Sequence, residues 1–178
     1  MSSEIHVHEF TTVDGVVDAP TWTMDFGFDP RMGEAIGALT GRCRAILLGR
    51  KTYEMFEPAW STRTAEDDPG APFFNETPKY VVSSTLESAG WSNSRLLGPY
   101  DAGAIRRLKD DVDGEIYVSG SGTLVNALLA DGLVDRLHLF VYPLMRGEGP
   151  RLFGAGRLSL EACEEYENGV VYLSYRAA

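Results

Sequence analysis

The sequence predicts an α/β fold with a mostly parallel sheet, and three observations carry this prediction. Short apolar runs rich in β-branched residues alternate with segments of helical spacing. Residues 114–143 contain a strand, a helix and a second strand, which is the unit that builds a parallel sheet. Near the C-terminus, two runs in which apolar and polar residues alternate lie on either side of Asn168-Gly169. This turn dipeptide between two such runs is a strong signal for an antiparallel hairpin. Without an internal repeat or a clear linker, residues 1–178 are predicted to form one domain.

Composition narrows the possible functions. The 178 residues carry a net charge of −10, so a nucleic-acid partner is not expected. No apolar run is long enough to span a membrane, and the N-terminus lacks the features of a signal peptide, so we expect a cytoplasmic protein. Cys43 and Cys163 form no C-x-x-C pair and lie beside apolar positions, which predicts buried, reduced thiols.

The N-terminal part begins with a strand over residues 5–12 that places His6 and His8 on one face. This pair indicates a partly exposed strand face, and metal binding is the less favoured alternative because no third ligand is near. Asp14 and Gly15 then predict a turn. Residues 21–29 are predicted to be a loop with large apolar side chains, which indicates a lid, a pocket wall or a loop packed on the core.

The remaining elements follow from local signals. Asp29 and Pro30 are typical of a helix N-cap and first position, and that helix is predicted to end near Gly41. The continuous apolar run of residues 44–49 predicts a central strand. Further predicted elements are a helix over residues 50–56, a surface loop over 58–78, strands over 79–82 and 91–97, a helix over 101–111, and strands over 158–166 and 170–175.

Three predicted strand ends carry groups suited to phosphate. Each places glycine, hydroxyl or basic residues at or near the start of the next element, where free helix amides favour an anion. Each motif is also compatible with an ordinary turn or cap, although basic residues in a first helical turn oppose the helix dipole. In a parallel sheet these ends share one edge, where ligands bind. The motifs are Gly49-Arg50-Lys51-Thr52, Ser83-Ser84-Thr85 and Gly120-Ser121-Gly122-Thr123.

Four longer segments that contain these motifs resemble a known family. LLGRKTYEMF, KYVVSSTL, GEIYVSGSGTLVNALL and VDRLHLFVYPLMRGEGPRLF are similar to the dihydrofolate reductase-like superfamily, in its RibD C-terminal, riboflavin-biosynthesis reductase branch. The resemblance extends over nearly the whole chain. It implies the three-layer dihydrofolate reductase-like fold with an antiparallel C-terminal hairpin, and it implies NADPH as hydride donor.

The resemblance also implies roles for the three motifs. Gly49, Arg50, Lys51 and Thr52 would face the adenosine side and the phosphates of NADPH. Ser83, Ser84 and Thr85 would bind the region of the 2′-phosphate. The segment Gly120, Ser121, Gly122, Thr123 and Leu124 would hold the pyrophosphate at a helix N-terminus. Asp14, Gly15 and residues 16–20 would form the loop that closes over nicotinamide and substrate.

Catalytic and substrate residues are less constrained by the sequence. The family's carboxylate on the first helix is matched best by Asp29, which also fits an N-cap, and Asp14 is the second candidate although aspartate is common in turns. Gly15, Trp22 and Phe26 are the candidate substrate contacts. The chain lacks the H-x-E…C-x-x-C signature of the zinc deaminases, and no metal is expected.

The sequence leaves open two functions of different class. The first is an NADPH-dependent reductase of a small heterocyclic, pterin- or pyrimidine-like, or carbonyl substrate. The second is a non-catalytic binding protein that keeps the nucleotide site, which the lack of an unambiguous catalytic acid favours. In either case a homodimer is expected by resemblance, and the apolar strand of residues 137–142 and the C-terminal hairpin are candidates for its interface.

Overall fold

The computed structural model describes residues 2–17, 20–152 and 154–178. Within these ranges eight strands form one sheet. The strands are β1 (Ile5–Thr12), β2 (Cys43–Gly49), β3 (Lys79–Val82), β4 (Ser94–Gly98), β5 (Glu115–Ser119), β6 (Arg136–Tyr142), β7 (Leu158–Glu165) and β8 (Val171–Ala177).

The order of strands in the sheet is β4-β3-β2-β5-β1-β6-β8-β7. The first six strands are parallel to one another, and β8 is antiparallel to both of its neighbours, β6 and β7. The predicted α/β fold with a mostly parallel sheet and an antiparallel C-terminal hairpin is therefore confirmed. Because β1 lies between β5 and β6, the predicted strand–helix–strand unit spans the centre of the sheet.

Helices cover both faces of the sheet and complete three layers. They are α1 (Pro30–Thr40), α2 (Arg50–Trp60), α3 (Ala71–Glu76), α4 (Ala102–Asp111) and α5 (Gly122–Ala130), together with a 3-10 helix over Thr21–Phe26. Apolar residues of α4 and α5 pack on one face with Ile5 and Val7 of β1. Residues of α1, α2 and α3 pack on the other face. None of the helices among the described residues is both long and apolar enough to cross a bilayer.

The histidine face of β1 differs from its prediction. His6 is 0 % exposed and His8 is 3 % exposed, so neither lies on a partly exposed face. The prediction was wrong because β1 is a central strand that helices cover on both sides. The two imidazoles are instead held by other buried groups: His6 Nδ1 lies 2.9 Å from His138 Nε2, and His8 Nδ1 lies 2.6 Å from the Tyr117 hydroxyl oxygen.

The predicted surface loop over residues 58–78 is also partly helical. The helix α2 continues to Trp60 through Pro58, and residues 71–76 form α3. Burial explains the second helix, because the ring of Phe74 stacks on that of Trp60 with 4.4 Å between the centroids. Proline and acidic residues in this stretch suggested a loop, but its three aromatic side chains dominate the local structure.

Three smaller predictions need correction. Residues 21–26 form a 3-10 helix and not an irregular loop, and the strand predicted over residues 91–97 is displaced to Ser94–Gly98. Cys43 is buried as predicted, whereas Cys163 is exposed because β7 is an edge strand with all eight residues exposed.

The position of Asp29 agrees with one of its two predicted roles. Asp29 accepts a hydrogen bond from the Arg31 amide at 2.9 Å, so it is the N-cap of α1.

Candidate nucleotide-binding site

A cavity of about 590 Å³ opens at the edge of the sheet where the parallel strands end. It lies over the ends of β2, β3 and β5 and the N-termini of α2 and α5. All twelve residues predicted to bind the cofactor line it, so three separate motifs of the sequence meet in one place. The other lining residues are Val17, Pro20, Met55, Val82, Pro99, Tyr100, Ala127 and Pro150.

The side chains of Thr52 and Ser121, both predicted to bind the ligand, instead form hydrogen bonds that connect the end of β2 to the end of β5. The Gly49 amide donates to Ser121 Oγ at 2.9 Å, and the Ser121 amide donates to Thr52 Oγ1 at 2.8 Å. Gly120 makes this approach possible: its φ is +55°, and a Cβ there would lie 3.0 Å from Thr52 Oγ1. The hydroxyl groups of Thr52 and Ser121 therefore hold the cavity wall in shape, with internal partners already present.

The helix N-termini at the cavity leave amide donors without a side-chain partner. α5 begins after Ser121, and α2 begins after Gly49, and no side chain caps either helix. The first amides of a helix have no acceptor inside it, and the helix dipole adds partial positive charge at the same point. Two such N-termini at one cavity form a surface that favours the oxygen atoms of a phosphate or diphosphate.

The two basic side chains of the cavity differ in their surroundings. Arg50 Nη1 lies 2.9 Å from Glu54 Oε2, an ion pair one helical turn along α2. Lys51 is exposed and makes no ion pair with any residue in the described ranges. In a protein of net charge −10, a cation without a carboxylate partner beside two helix N-termini is a local site for an anion.

The end of β3 contributes a turn that presents two hydroxyl groups. Ser83 Oγ accepts hydrogen bonds from the amides of Thr85 at 3.1 Å and Leu86 at 3.0 Å, so this serine stabilises the turn. Ser84 and Thr85 are exposed on the cavity. Tyr100 closes this end of the cavity and donates its hydroxyl to Asp131 at 2.8 Å. Burial, with this hydrogen bond, raises the pKa of Tyr100 to about 12.

The structure places neither predicted catalytic carboxylate on the cavity. Asp14 accepts from Thr12 Oγ1 at 2.5 Å and from the Gly147 amide at 2.8 Å, and these bonds hold the pKa of its carboxyl below the usual range. It therefore joins the turn after β1 to the segment before β7. Asp29 caps α1 and also accepts from the Glu167 amide at 3.2 Å, which keeps it at the C-terminal hairpin.

The predicted substrate contacts lie on the other side of β1. Trp22 and Phe26 pack edge-on against Tyr142, with centroid distances of 5.3 and 5.6 Å. Both belong to an aromatic cluster between α1, β6 and β8 that is not part of the cavity wall. Gly15, with φ +82°, forms the turn after β1. From the predicted closing loop, Val17 and Pro20 reach the cavity, while Asp18 and Ala19 lie outside the described residues.

Two buried polar residues lie next to this edge, of which sequence reasoning misplaced His8 on a partly exposed face and did not consider Glu9. His8 and Glu9 are consecutive in β1, both are buried, and His8 Nε2 and Glu9 Oε1 have no hydrogen-bond partner among the described residues. Burial lowers the pKa of His8 to about 3 and raises the pKa of Glu9 well above its usual value. Glu9 interrupts the apolar alternation of Ile5 and Val7, and that interruption is the signal by which the sequence marks it.

A second group of ionisable residues lies at the opposite edge of the sheet. His6 Nε2 is 3.3 Å from carboxylate oxygens of Glu4 and Glu115, an arrangement with the ligand types of a metal site. Arg42 lies 3.5 Å from Glu115, and Arg136 lies 3.4 Å from Glu4. Because these two arginines balance the two carboxylates, the group is an ion-pair network that needs no cation.

Comparison with known proteins agrees with this architecture. The model of the RibD C-terminal domain family matches residues 4–96 and 101–172. This chain belongs to the RibD C-terminal domain family. It is 26 % identical over 179 residues to the uncharacterized protein YyaP of Bacillus subtilis, covering 92 % of this chain and 89 % of YyaP.

Solved structures show the same fold at low sequence identity. A putative riboflavin biosynthesis protein from Shewanella sp. PV-4 superposes with a TM-score of 0.80 at 19 % identity, covering 100 % of this chain and 99 % of the other. A dihydrofolate reductase from Enterococcus faecalis, solved with NADP(H) and RAB-propyl, gives 0.63 at 13 % identity, covering 99 % of both chains. The chain therefore has a dihydrofolate reductase-like fold, and its structural neighbours include reductases.

Proposed function

We propose that this protein is an NADPH-dependent reductase of a small organic substrate. One observation carries the proposal: the cavity brings together the three predicted phosphate-binding motifs, two uncapped helix N-termini and the cation of Lys51, which has no ion pair among the described residues. These groups fit a dinucleotide with a diphosphate and an additional phosphate. When bound, NADPH supplies the hydride, and the protein binds it, orients it and excludes water around it.

Each part of the cavity has a role in this proposal. The first amides of α5, at Gly122, Thr123 and Leu124, hold the diphosphate. Lys51, Ser84 and Thr85 bind the 2′-phosphate, a doubly charged group that strengthens hydrogen bonds to cations and hydroxyls. Gly49 and Arg50 form the wall between these two phosphate sites. The bonds through Thr52 and Ser121 keep the amides in place before the ligand arrives, which lowers the entropic cost of binding.

The substrate is proposed to be a heterocyclic or carbonyl compound that meets the nicotinamide beyond the end of β1. Trp22 and Phe26 offer an aromatic surface on the far side of that strand, and Trp22 Nε1 is buried without a hydrogen-bond partner among the described residues. A polar substrate that accepts a hydrogen bond from this indole would satisfy it. Gly15 permits the turn that leads from β1 to the closing loop.

A non-catalytic ligand-binding protein is the second candidate. The positions of Asp14 and Asp29 favour it, because both carboxylates have internal partners and neither lines the cavity. Under this alternative NADPH binds with the same preference over NADH, but the bound cofactor transfers no hydride. Binding and turnover must therefore be measured separately.

The experiment combines thermal unfolding with NADPH oxidation. The purified protein is unfolded with NADPH, with NADH and without ligand, and then NADPH absorbance is followed with dihydrofolate and a panel of pyrimidine and carbonyl acceptors. At a hundredfold excess over Kd, a ligand stabilises the folded state by about 2.7 kcal/mol. A shift with NADPH and consumption with one acceptor support the reductase. A shift without consumption supports the binding protein, and no shift with NADPH contradicts both.

We also propose that the protein forms a homodimer through the last three strands of the sheet. The edge strand β7 exposes its whole length, including Leu158 and Leu160 at 45 % and 57 % exposure. Leu173 and Tyr175 of β8 continue this apolar surface and are only partly buried. An exposed edge strand with apolar side chains pairs readily with another strand, and a twofold axis allows the same strand of a second copy to cover it.

A further inference from the structure

Buried polar atoms without partners are rare in a folded protein, and each one calls for an explanation, such as a functional role or an unseen binding partner. Among the described residues six buried side-chain nitrogen or oxygen atoms have no hydrogen bond. Two of them belong to Glu115 and Arg136, which lie 3.3–3.5 Å from partners of opposite charge. Of the other four in that described set, Glu9 is the one acid, and it is 3 % exposed.

The position of Glu9 in the sheet is unusual. Pairing between β1 and β5 ends at His8 and Ser119, whereas pairing between β1 and β6 continues to Thr12 and Tyr142. From Glu9 onward the side of β1 that faces β5 therefore has no strand partner in the described chain. Ser119 is followed at once by Gly120, the first residue of the cavity wall on that strand. Since paired strands lie about 4.8 Å apart, Glu9 lies one residue beyond the last β1–β5 pair and next to the strand end where the cavity wall begins, although it is not itself part of that wall.

The surroundings of Glu9 determine which form of the carboxyl is present. Its neighbours on the same face are Val7 and, across the β1–β6 pair, Leu139, and both are part of the apolar core of α4 and α5. No basic residue in the described ranges forms an ion pair with it. Burial raises the pKa of the Glu9 carboxyl well above its usual value, which favours the neutral form of the group. A neutral carboxyl offers one O–H donor and one C=O acceptor side by side.

We propose that Glu9 binds the uncharged amide of the ligand in this cavity, through one donated and one accepted hydrogen bond. In NADPH that amide is the carboxamide of the nicotinamide ring, so the inference rests on the proposed function. A carboxamide has a donor and an acceptor in the complementary order. The charged phosphates are held at the helix N-termini, and the neutral end of the molecule extends to the point where β1 and β5 separate.

The test uses two variants and two ligands. Glu9→Gln keeps a neutral donor and acceptor of the same size, and Glu9→Met keeps the length but removes both. Affinity is measured for NADPH and for adenosine 2′,5′-bisphosphate, which carries phosphates and no carboxamide. We expect Glu9→Gln to bind NADPH within about threefold of wild type and Glu9→Met to bind it about tenfold or more weakly. Neither variant should change the affinity for adenosine 2′,5′-bisphosphate.

Infrared spectroscopy gives a second readout, which does not depend on the folding of Glu9→Met. A buried neutral carboxyl gives a C=O stretching band that is absent from Glu9→Gln, and we expect this band to move when NADPH is added and to stay when adenosine 2′,5′-bisphosphate is added. If NADPH binds the wild type and Glu9→Met equally and the band does not move, the inference is wrong and the proposed function stands. If neither ligand binds the wild type, both fail.

Discussion

Polar groups are paired differently at the two edges of the parallel sheet, that is, at the N-terminal and the C-terminal ends of its strands. At the edge where the strands begin, Glu4, His6, Glu115 and Arg136 form ion pairs and hydrogen bonds with one another. At the edge where the strands end, helix amides, Lys51 and Glu9 have no side-chain partner among the described residues. We call these the closed edge and the open edge. The closed edge therefore contributes stability, whereas the open edge is arranged for a ligand.

The largest expected effect concerns pH and the buried histidines. Burial lowers the pKa to about 4 for His6 and about 3 for His8 and His138. In the unfolded chain the pKa is about 6.5, so the folded state favours the neutral forms. The stabilisation that comes from the neutral imidazoles is therefore complete above pH 6.5 and falls as the pH decreases toward 4, by about 1 kcal/mol per pH unit for each histidine. The raised pKa of Glu9 acts in the opposite direction and offsets about one of these three contributions.

Denaturant unfolding between pH 7 and pH 5 measures this slope. The variant His8→Phe removes one titrating group, and its slope should be shallower by about 1 kcal/mol per pH unit. A free energy of unfolding that stays constant from pH 7 to pH 5 would show that the imidazoles are not buried in their neutral forms.

The second prediction concerns Lys79 at the closed edge. Its ammonium donates to the backbone oxygens of Phe74 at 2.7 Å and Thr77 at 3.0 Å, and it lies 4.5 Å from the centroid of the Trp91 ring. Lys79→Ala leaves these carbonyl groups at the end of α3 without this donor and creates a cavity. We expect a loss of about 3 kcal/mol in the free energy of unfolding.

The same variant separates the two edges functionally. NADPH affinity, measured below the unfolding temperature of Lys79→Ala, should remain within about twofold of wild type, because the open edge is unchanged. A large loss of affinity together with a small loss of stability would contradict the division of roles.

The third prediction tests the proposed homodimer. Leu160→Lys places a charge at the centre of the exposed strand β7, where pairing with a second copy would bury it. We expect the dimer dissociation constant to rise by about a hundredfold or more. Sedimentation equilibrium measures it, and Ser159→Lys, on the alternate side of the same strand, is the matched control. Equal dissociation constants for wild type and both variants would exclude this interface.

The smallest effect concerns the cation of the open edge. Lys51→Met should weaken NADPH binding by about tenfold and leave NADH binding unchanged, because one charge-assisted contact to the 2′-phosphate is lost. Arg157→Met is the control: it removes the same charge just before β7, at the closed edge. Isothermal titration gives both affinities. If Arg157→Met weakens NADPH binding as much as Lys51→Met does, general electrostatics and not a local contact is responsible.

Much of the fold was predictable because its signals are local. The run of residues 44–49, the cap at Asp29 and the turn at Asn168 each specify an element through a few neighbouring residues. The helix α3 was missed because its reason lies elsewhere in the chain, in the stacking of Phe74 on Trp60. His6 and His8 were placed on an exposed face because alternation alone does not show that helices cover both sides of β1.

For the site, the sequence predicted which residues meet but not how each is used. The glycine and hydroxyl motifs follow strands, and a parallel sheet brings such ends together, so the three motifs of the cavity wall could be foreseen. The hydrogen bond between the Ser121 amide and Thr52 Oγ1 joins residues that are 69 positions apart in the sequence, so no local pattern predicts it. The unpaired state of Glu9 depends on where β1 and β5 separate, and no local pattern encodes that point.

Hydrogen exchange with and without NADPH is the sharpest check on the contrast between the open and closed edges. We predict that NADPH slows exchange at residues 49–52, 83–86 and 120–125 and at the end of β1, all of which belong to the open edge. Peptides of the closed edge, at the starts of β5 and β6, should exchange at the same rate with and without the cofactor. Protection of the closed edge alone, or none at residues 120–125 at saturating NADPH, would contradict this assignment.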